Sequence, residues 1–331
     1  MFDNKTPKLL RDYLNYSSNL NKSANTIREY KYDLVNFLKY LKLISLNNSK
    51  LTLDDIDTIF DIDSKFLNRV DINDIYEYMT YLKDHCNDSA VTRARKVASI
   101  KGFFKYLHVK ARVIDDNPAK ELESPKLGKR LPKFLTLEQS TSLLDGIRNM
   151  PITGKQHNNR IRDYTIVTLF LNCGMRLAEL VSIDISHIKF DEAILTVIGK
   201  GNKERTVYLN SSALSAIKEY LEVRPTDGVV DKDALFLSER KTRISRRTVQ
   251  NLIKTYLRDI VGLTDNYSTH KLRHTAATLM YQFGNVDIRA LQEILGHESI
   301  ATTEIYTHVD NSQIREAIES NPLANYKPKE K

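Results

Sequence analysis

The second half of the chain holds two arginines in settings that suit a phosphate. Arg176 stands in Cys173-Gly-Met-Arg-Leu-Ala-Glu-Leu180 and Arg273 in Thr269-His-Lys-Leu-Arg-His-Thr-Ala276. A guanidinium meets phosphate oxygens with a planar fork and keeps its proton at neutral pH. Both are expected at or near helix starts, where backbone N–H groups also favour an anion. Breaking a phosphodiester without a metal requires a nucleophile, neutralisation of charge on the nonbridging oxygens and a proton for the leaving oxygen. The same half holds candidates for all three tasks. Taken singly, either arginine reads as an ordinary surface residue. The histidines offer a competing chemistry, with His270, His274 and His297 as ligands of a divalent ion. The four-residue spacing of His270 and His274 is that of a metalloprotease helix, but the residues between them are Lys-Leu-Arg, without a glutamate, and two arginines would repel a cation. No metal and no cofactor is therefore expected.

These residues must be positioned by a mainly α-helical scaffold. From Ser23, a candidate N-cap, Ile27, Tyr30, Leu34, Phe37, Leu38 and Leu41 recur at helical steps. Ile72, Ile75, Met79 and Leu82 form a second apolar face, and Val91, Ala94, Val97, Phe103, Phe104 and Leu107 a third. Residues 43–70 between the first two are rich in Asn, Asp and Ser, which predicts a loop with one short helix around 53–60. In the second half, helices are expected over 137–149, 161–173, 211–222, 248–260, 270–283 with Gly284 as C′, 287–295 with Gly296 as C′, and 299–307. A last amphipathic segment runs over 312–318. Two β-branched and aromatic runs, 194–198 and 205–209, flank Gly199-Lys200-Gly201-Asn202-Lys203 and predict a β-hairpin with a positive tip.

A length of 331 residues, 41% of them hydrophobic, fits about two domains with buried cores. Residues 124–133 carry two prolines, one glycine and four positive charges with no acid, and read as an extended basic linker, either a DNA contact or a plain connector. The expected division is 1–123, a helical domain; 124–134, the linker; and 135–331, the domain with the chemistry. A net charge of +8 favours a polyanionic partner. The first twenty residues lack a signal-peptide core and no run of apolar residues is long enough to span a bilayer, so a cytoplasmic protein with no membrane partner is expected. Cys86 and Cys173 lack the spacing of a zinc site or disulfide framework, and Cys173 reads as a small packed hydrophobe.

Taken together, the segments resemble the tyrosine recombinase (phage integrase) family, and within it the Xer-type bacterial recombinases. The family's Gly-hydrophobe-Arg-x-x-Glu-Leu segment is matched by Gly174 to Leu180, its Gly-Lys-Gly-Asn-Lys-Glu-Arg hairpin by Gly199 to Arg205, its His-x-x-Arg-His box by His270 to His274, and its Leu-Gly-His segment by Leu295 to His297. The resemblance implies a helical SAM-like core-binding domain and an α-rich catalytic domain with a small β-hairpin or sheet, closing on DNA as a C-shaped clamp. It implies Tyr306 as nucleophile, His270 as general base, Arg176 and Arg273 as phosphate clamps, His297 as a hydrogen-bond donor to a nonbridging oxygen and Lys200 as general acid, with Lys203 a nearby DNA contact. Glu179 then supports this constellation or forms a structural ion pair, and His274 supports it or packs as a core histidine. Tyr208 and Tyr281 lack such a context and read as structural.

Further DNA contacts are expected from Arg93, Arg95, Lys96 and Lys101 on the polar side of the third N-terminal helix, from Lys129 and Arg130 in the linker, and from Arg240, Lys241, Arg243, Arg246 and Arg247 before the helix at 248, where a solvated loop is the plainer reading. The partner implied is double-stranded DNA with an inverted-repeat recombination site, bound by a homotetramer on two sites or a heterotetramer with a paralogue, with a DNA translocase or accessory protein in support. The implied reaction passes through a 3′-phosphotyrosine and a Holliday junction, in chromosome dimer resolution or as an integrase or excisionase of a mobile element. The 312–318 segment would dock on a neighbouring subunit or on its own domain. Two other readings share parts of the pattern: a DNA-binding protein that does not cleave, which would have no reason to keep all six positions, and a type IB topoisomerase, which would relax supercoils without exchanging strands.

Overall fold

The computed structural model describes residues 6–48, 50–128, 133–151, 156–199, 204–263, 268–284, 286–296 and 303. The chain divides into two compact units, Met1–Lys129 and Arg130–Lys331.

The first unit is helical: α1 (Lys8–Asn19), α2 (Ala24–Ser45), α3 (Ser64–Leu67), α4 (Ile72–Asp84) and α5 (Ala90–Lys105), which runs on into a π turn, Tyr106–Ala111. Short polar side chains start these helices by accepting from otherwise orphaned N–H groups. Ser23 Oγ accepts from Thr26 N at 3.1 Å, Ser89 Oγ from Thr92 N at 3.1 Å, and Asp71 and Asp74 form a reciprocal capping box on α4. Phe37, Tyr78, Phe103 and Phe104 are fully buried at the centre, with the Phe37 and Tyr78 rings 5.2 Å apart. Each such side chain contributes roughly 1.5–3 kcal/mol through burial.

Two expectations are corrected here. Residues 43–70 are more than a polar loop, because Ile56, Ile59, Ile62 and Leu67 are buried in the core. The acids among them cap turns instead of marking solvent: Asp55 bonds the N–H of Thr52 at the 3₁₀ turn Leu53–Asp55, and Asp63 caps α3. Helix α1 was not foreseen, although Leu10, Tyr13, Leu14 and Ser17 bury one continuous face.

The second unit holds α6 (Leu137–Arg148), α7 (Gln156–Cys173), α8 (Leu177–Val181), three strands β1 (Ile188–Lys189), β2 (Ile194–Ile198) and β3 (Glu204–Tyr208), then α9 (Ser211–Val223), α10 (Arg246–Asp259), α11 (Thr269–Phe283) and α12 (Ile288–Leu295). Helix α7 is buried almost all round, and Thr165 on it donates to the Ala216 carbonyl of α9 at 2.9 Å. The sheet is antiparallel in the order β1-β2-β3, one strand more than the expected hairpin, with Val197 opposite Arg205. Leu195, Val197 and Val207 face the core while Ile198 and Tyr208 are exposed, the two-residue alternation of a one-sided sheet. Gly284 ends α11 with φ −92°, so it is not the left-handed C′ glycine that was expected, whereas Gly296 ends α12 at φ +62°. The segments expected to be helical at 299–307 and 312–318 lie outside the described residues, apart from Thr303, which is buried.

Candidate active site

Three connections bring the functional segments of the second unit together. Helix α7 ends at Gly174, whose φ of +58° turns the chain, and a Cβ at that position would stand 2.9 Å from Leu295 Cδ2. A residue without a side chain is needed for both the backbone angle and the close approach. The turn delivers Arg176 as the extended residue before α8, where its backbone N–H donates to Glu179 Oε2 at 2.8 Å. Arg273 is carried on the buried face of α11 and is 2% exposed, so its guanidinium must be satisfied by protein groups. It donates to the carbonyls of Gly174 and Leu295, tying the Arg176 turn to the end of α12.

The carboxyl end of α12 receives three arginines on three successive carbonyls. Arg205 Nη1 donates to Ile294 O at 2.8 Å, Arg273 Nη2 to Leu295 O, and Arg176 Nη2 to Gly296 O at 2.6 Å. These carbonyls lack partners within the helix and sit at the negative end of its dipole, which favours cations. Between two of the arginines lies Glu179, 1% exposed, accepting from Arg176 Nη1 at 2.8 Å and Arg205 Nη2 at 2.8 Å. Burial pushes the Glu179 carboxyl up, but Arg205 and Arg176 outweigh it and hold the group below the usual carboxylate range. Three guanidiniums against one carboxylate leave the cluster cationic. It borders a cleft of about 560 Å³ lined by Arg176, Glu179, Asp184, His187, Arg243 and Arg246.

His270 stands in the first turn of α11 with its ring exposed to solvent on one side and 4.4 Å from the His274 ring, centroid to centroid. Desolvation of its inner side, then the charges of Arg273, Lys271 and Arg176, lower its pKa below the ordinary imidazole value. It is therefore neutral at pH 7 and can accept a proton. Among the described residues no three His, Cys, Asp or Glu side chains form a group that could hold a metal ion. Cys173 is buried, its thiol pushed up to about 12 by desolvation, which makes it a packed side chain and no nucleophile.

The phage integrase family matches residues 133–313, more than half of the chain. The chain belongs to that family. It is a tyrosine recombinase, 51% identical over 322 residues to the tyrosine recombinase XerC of Caldanaerobacter subterraneus subsp. tengcongensis, covering 97% of this chain and 88% of the relative. It is 35% identical over 299 residues to the XerC of Natranaerobius thermophilus, covering 86% and 96%. Among solved structures it is similar to the XerH site-specific recombinase bound to a palindromic difH substrate in a post-cleavage complex, with a TM-score of 0.71, 24% identity and coverage of 91% and 81%. That likeness bears on the fold alone.

In this recombinase the described residues bring together Arg176, Glu179 and Arg273 around the end of α12, with the His270–His274 pair on α11. Lys200, Lys203, His297, Tyr306, Lys129 and Arg130 lie outside the described residues. Arg205 was missed as a site residue, although it closes the hairpin motif; its signal was the strand alternation that turns position 205 inward beside Val197. The expected DNA contacts divide. Arg240, Arg246 and Arg247 are exposed, the last two in the first turn of α10. Arg243 is committed inward to Asp184 and to the carbonyls of Val181 and Ile183, and Lys241 to the Asp227 carbonyl.

On α5 the expectation of one basic polar side needs correction. Lys96 is 9% exposed and paired with Asp88 at 2.8 Å, because it lies on the α5 face that carries buried Val97 and Ile100. Lys101 donates to the Leu122 carbonyl at 2.9 Å. Arg95 pairs with buried Asp33 at 2.6 Å and with Glu29 at 3.3 Å, while Arg93 is half-buried.

Proposed function

We propose that this recombinase cleaves and rejoins double-stranded DNA at an inverted-repeat recombination site, with Tyr306 as nucleophile, and serves in Xer-type resolution of chromosome dimers. The observation that carries the reading is the convergence of Arg176 and Arg273, distant in sequence, on Leu295 and Gly296, the two residues that precede His297. Two guanidiniums at one point suit the charge that develops on the nonbridging oxygens of a phosphorane.

In the reaction, the Tyr306 oxygen attacks the scissile phosphorus and its proton passes to His270. The bond from phosphorus to the 5′ oxygen breaks, and Lys200 protonates that oxygen. A 3′-phosphotyrosyl link and a free 5′-hydroxyl result, with the energy of the phosphodiester kept for rejoining. Attack by the 5′-hydroxyl of the partner duplex reverses the step and yields a Holliday junction after one pair of strands is exchanged. The lowered pKa of His270 supports its role as base, since an imidazole already protonated could not take the phenol's proton. His297 would donate to a nonbridging oxygen, and Glu179 would act by holding Arg176 in place. His274, edge-on to His270, would hold that ring.

Four copies would act on two sites, as a homotetramer or with a paralogue, helped by a translocase or accessory protein. Exposed Arg240, Arg246 and Arg247 would follow the DNA backbone. Two arginines in the first turn of α10 face the positive end of the helix dipole, an unfavourable placement that a phosphate between them relieves. Among the described residues no helix is long and apolar enough to cross a membrane, and a cytoplasmic location follows from action on the chromosome.

The test is a supercoiled plasmid carrying two direct copies of the host's candidate chromosomal site. Purified protein should resolve it into two circles without added metal or nucleotide. Relaxation of supercoils with no smaller circles would make the enzyme a topoisomerase instead.

A further inference from the structure

Arg205 belongs to no role so far, yet among the described residues of the hairpin it is the one that bonds both Glu179 and the end of α12. Its side chain is 15% exposed and spends all three guanidinium nitrogens within the protein: Nε on Glu179 Oε1 at 3.3 Å, Nη2 on Glu179 Oε2 at 2.8 Å and Nη1 on Ile294 O at 2.8 Å. It thus joins three separate pieces of chain, the strand β3, the Arg176 segment through Glu179, and the carboxyl end of α12. The fit is close, since a Cβ on Gly296 would come within 3.0 Å of Arg205 Cδ.

We infer that Arg205 is a positioning residue that sets the aim of Arg176 by sharing the Glu179 carboxylate and that registers the hairpin against α12. The inference rests on the recombinase reading above. With Arg205 present, Glu179 divides its charge between two arginines, so Arg176 keeps much of its positive charge for a phosphate. Without it, Arg176 would face Glu179 alone and be both neutralised and drawn toward the buried carboxylate. The Ile294 carbonyl, one of the three at the end of α12, would lose its donor at the same time. Because β3 begins one residue before Arg205, the same side chain ties the start of that strand to α12.

The experiment uses the full chain, unaltered and as Arg205→Gln and Arg205→Lys, on nicked duplexes carrying the host recombination site. One set has an ordinary scissile phosphate and the other an uncharged methylphosphonate there. A methylphosphonate has no nonbridging charge in its ground state, so an arginine that is poorly aimed costs less. Binding by gel shift should stay within about threefold for both variants, because the surface arginines are untouched. On the ordinary phosphate, cleavage by Arg205→Gln should fall about 100-fold, the scale of losing one preorganised donor. Arg205→Lys should recover about tenfold of that, since it restores the charge without the fork. On the methylphosphonate the Arg205→Gln penalty should shrink to tenfold or less.

Cleavage by Arg205→Gln within about threefold of the unaltered chain, or an equal penalty on both substrates, would overturn the inference, because a general packing defect slows both alike. Should Arg205→Gln fail to fold by circular dichroism, Arg205→Lys decides by the same comparison. If the unaltered chain cleaves neither substrate, the recombinase reading itself fails and takes this inference with it.

Discussion

At the scale of single residues the site works by distributing charge. Glu179 is buried and ionised because Arg205 and Arg176 surround it, and the pKa of His270 is lowered by desolvation and then by the charges of Arg273, Lys271 and Arg176. Removing one partner of such a buried pair costs about 3–5 kcal/mol, so Glu179→Leu should lower both stability and cleavage. The sign of the pH dependence follows from His270. A base whose pKa is lowered stays unprotonated as the pH falls, so the cleavage rate should hold from pH 7 down through the ordinary imidazole value of about 6.5 and decline only below it. Single-turnover cleavage of a nicked duplex between pH 5 and 8 checks this; a rate already halved at pH 6.5 would contradict it. Most of these residues were legible because arginine, lysine and histidine at family spacings announce phosphate chemistry. Arg205 was legible only as an inward-facing strand position, since a strand arginine gives no sign in sequence of the buried carboxylate it meets. Lys96 misled in the opposite way, because its pairing with Asp88 inside the helical unit cannot be seen in composition.

At the scale of elements, the short helix α12 transmits position to the site. Its last three carbonyls are held by Arg205, Arg273 and Arg176, so its placement and that of the arginines depend on one another. The amino end is capped by Asp287, which accepts from Arg289 N at 2.7 Å and Ala290 N at 3.1 Å. Asp287→Ala should cost about 1 kcal/mol of helix stability. Covalent complex formation should fall while duplex binding is kept; thermal melts and gel shifts on one preparation distinguish the two. The start of α2 could be read from the Ser23 cap, and the extents of α4, α6, α9 and α12 from apolar spacing and chain punctuation. Helix α1 has no side-chain cap to mark its start, and the buried isoleucines of residues 43–70 were lost among polar neighbours whose side chains cap turns. The extra strand β1, two residues long, is set by pairing with β2 and has no pattern of its own.

At the scale of the molecule, each unit has its own core, one around Phe37, Tyr78 and Phe104, the other around Phe170, Tyr220 and Phe236. Among the described residues between Leu122 and Leu135, none belongs to either core, and Lys126 and Lys133 are exposed. Limited trypsin digestion should therefore cut there first and yield two folded fragments identifiable by mass; a first cut inside either core would contradict two independent units. The linker was legible from proline and charge, but which basic residues face outward was not, because that depends on the packing of α5 and on acids such as Asp33, Asp88 and Asp184. The proposed covalent joining of Tyr306 to DNA is open to direct measurement. Nicked suicide duplexes carrying the host site, incubated in EDTA with the unaltered chain or Tyr306→Phe and run on a denaturing gel, test it most directly. A protein-linked 3′ end should form with the unaltered chain alone; a link that survives in Tyr306→Phe, or that requires magnesium, would rule out Tyr306 as the metal-independent nucleophile.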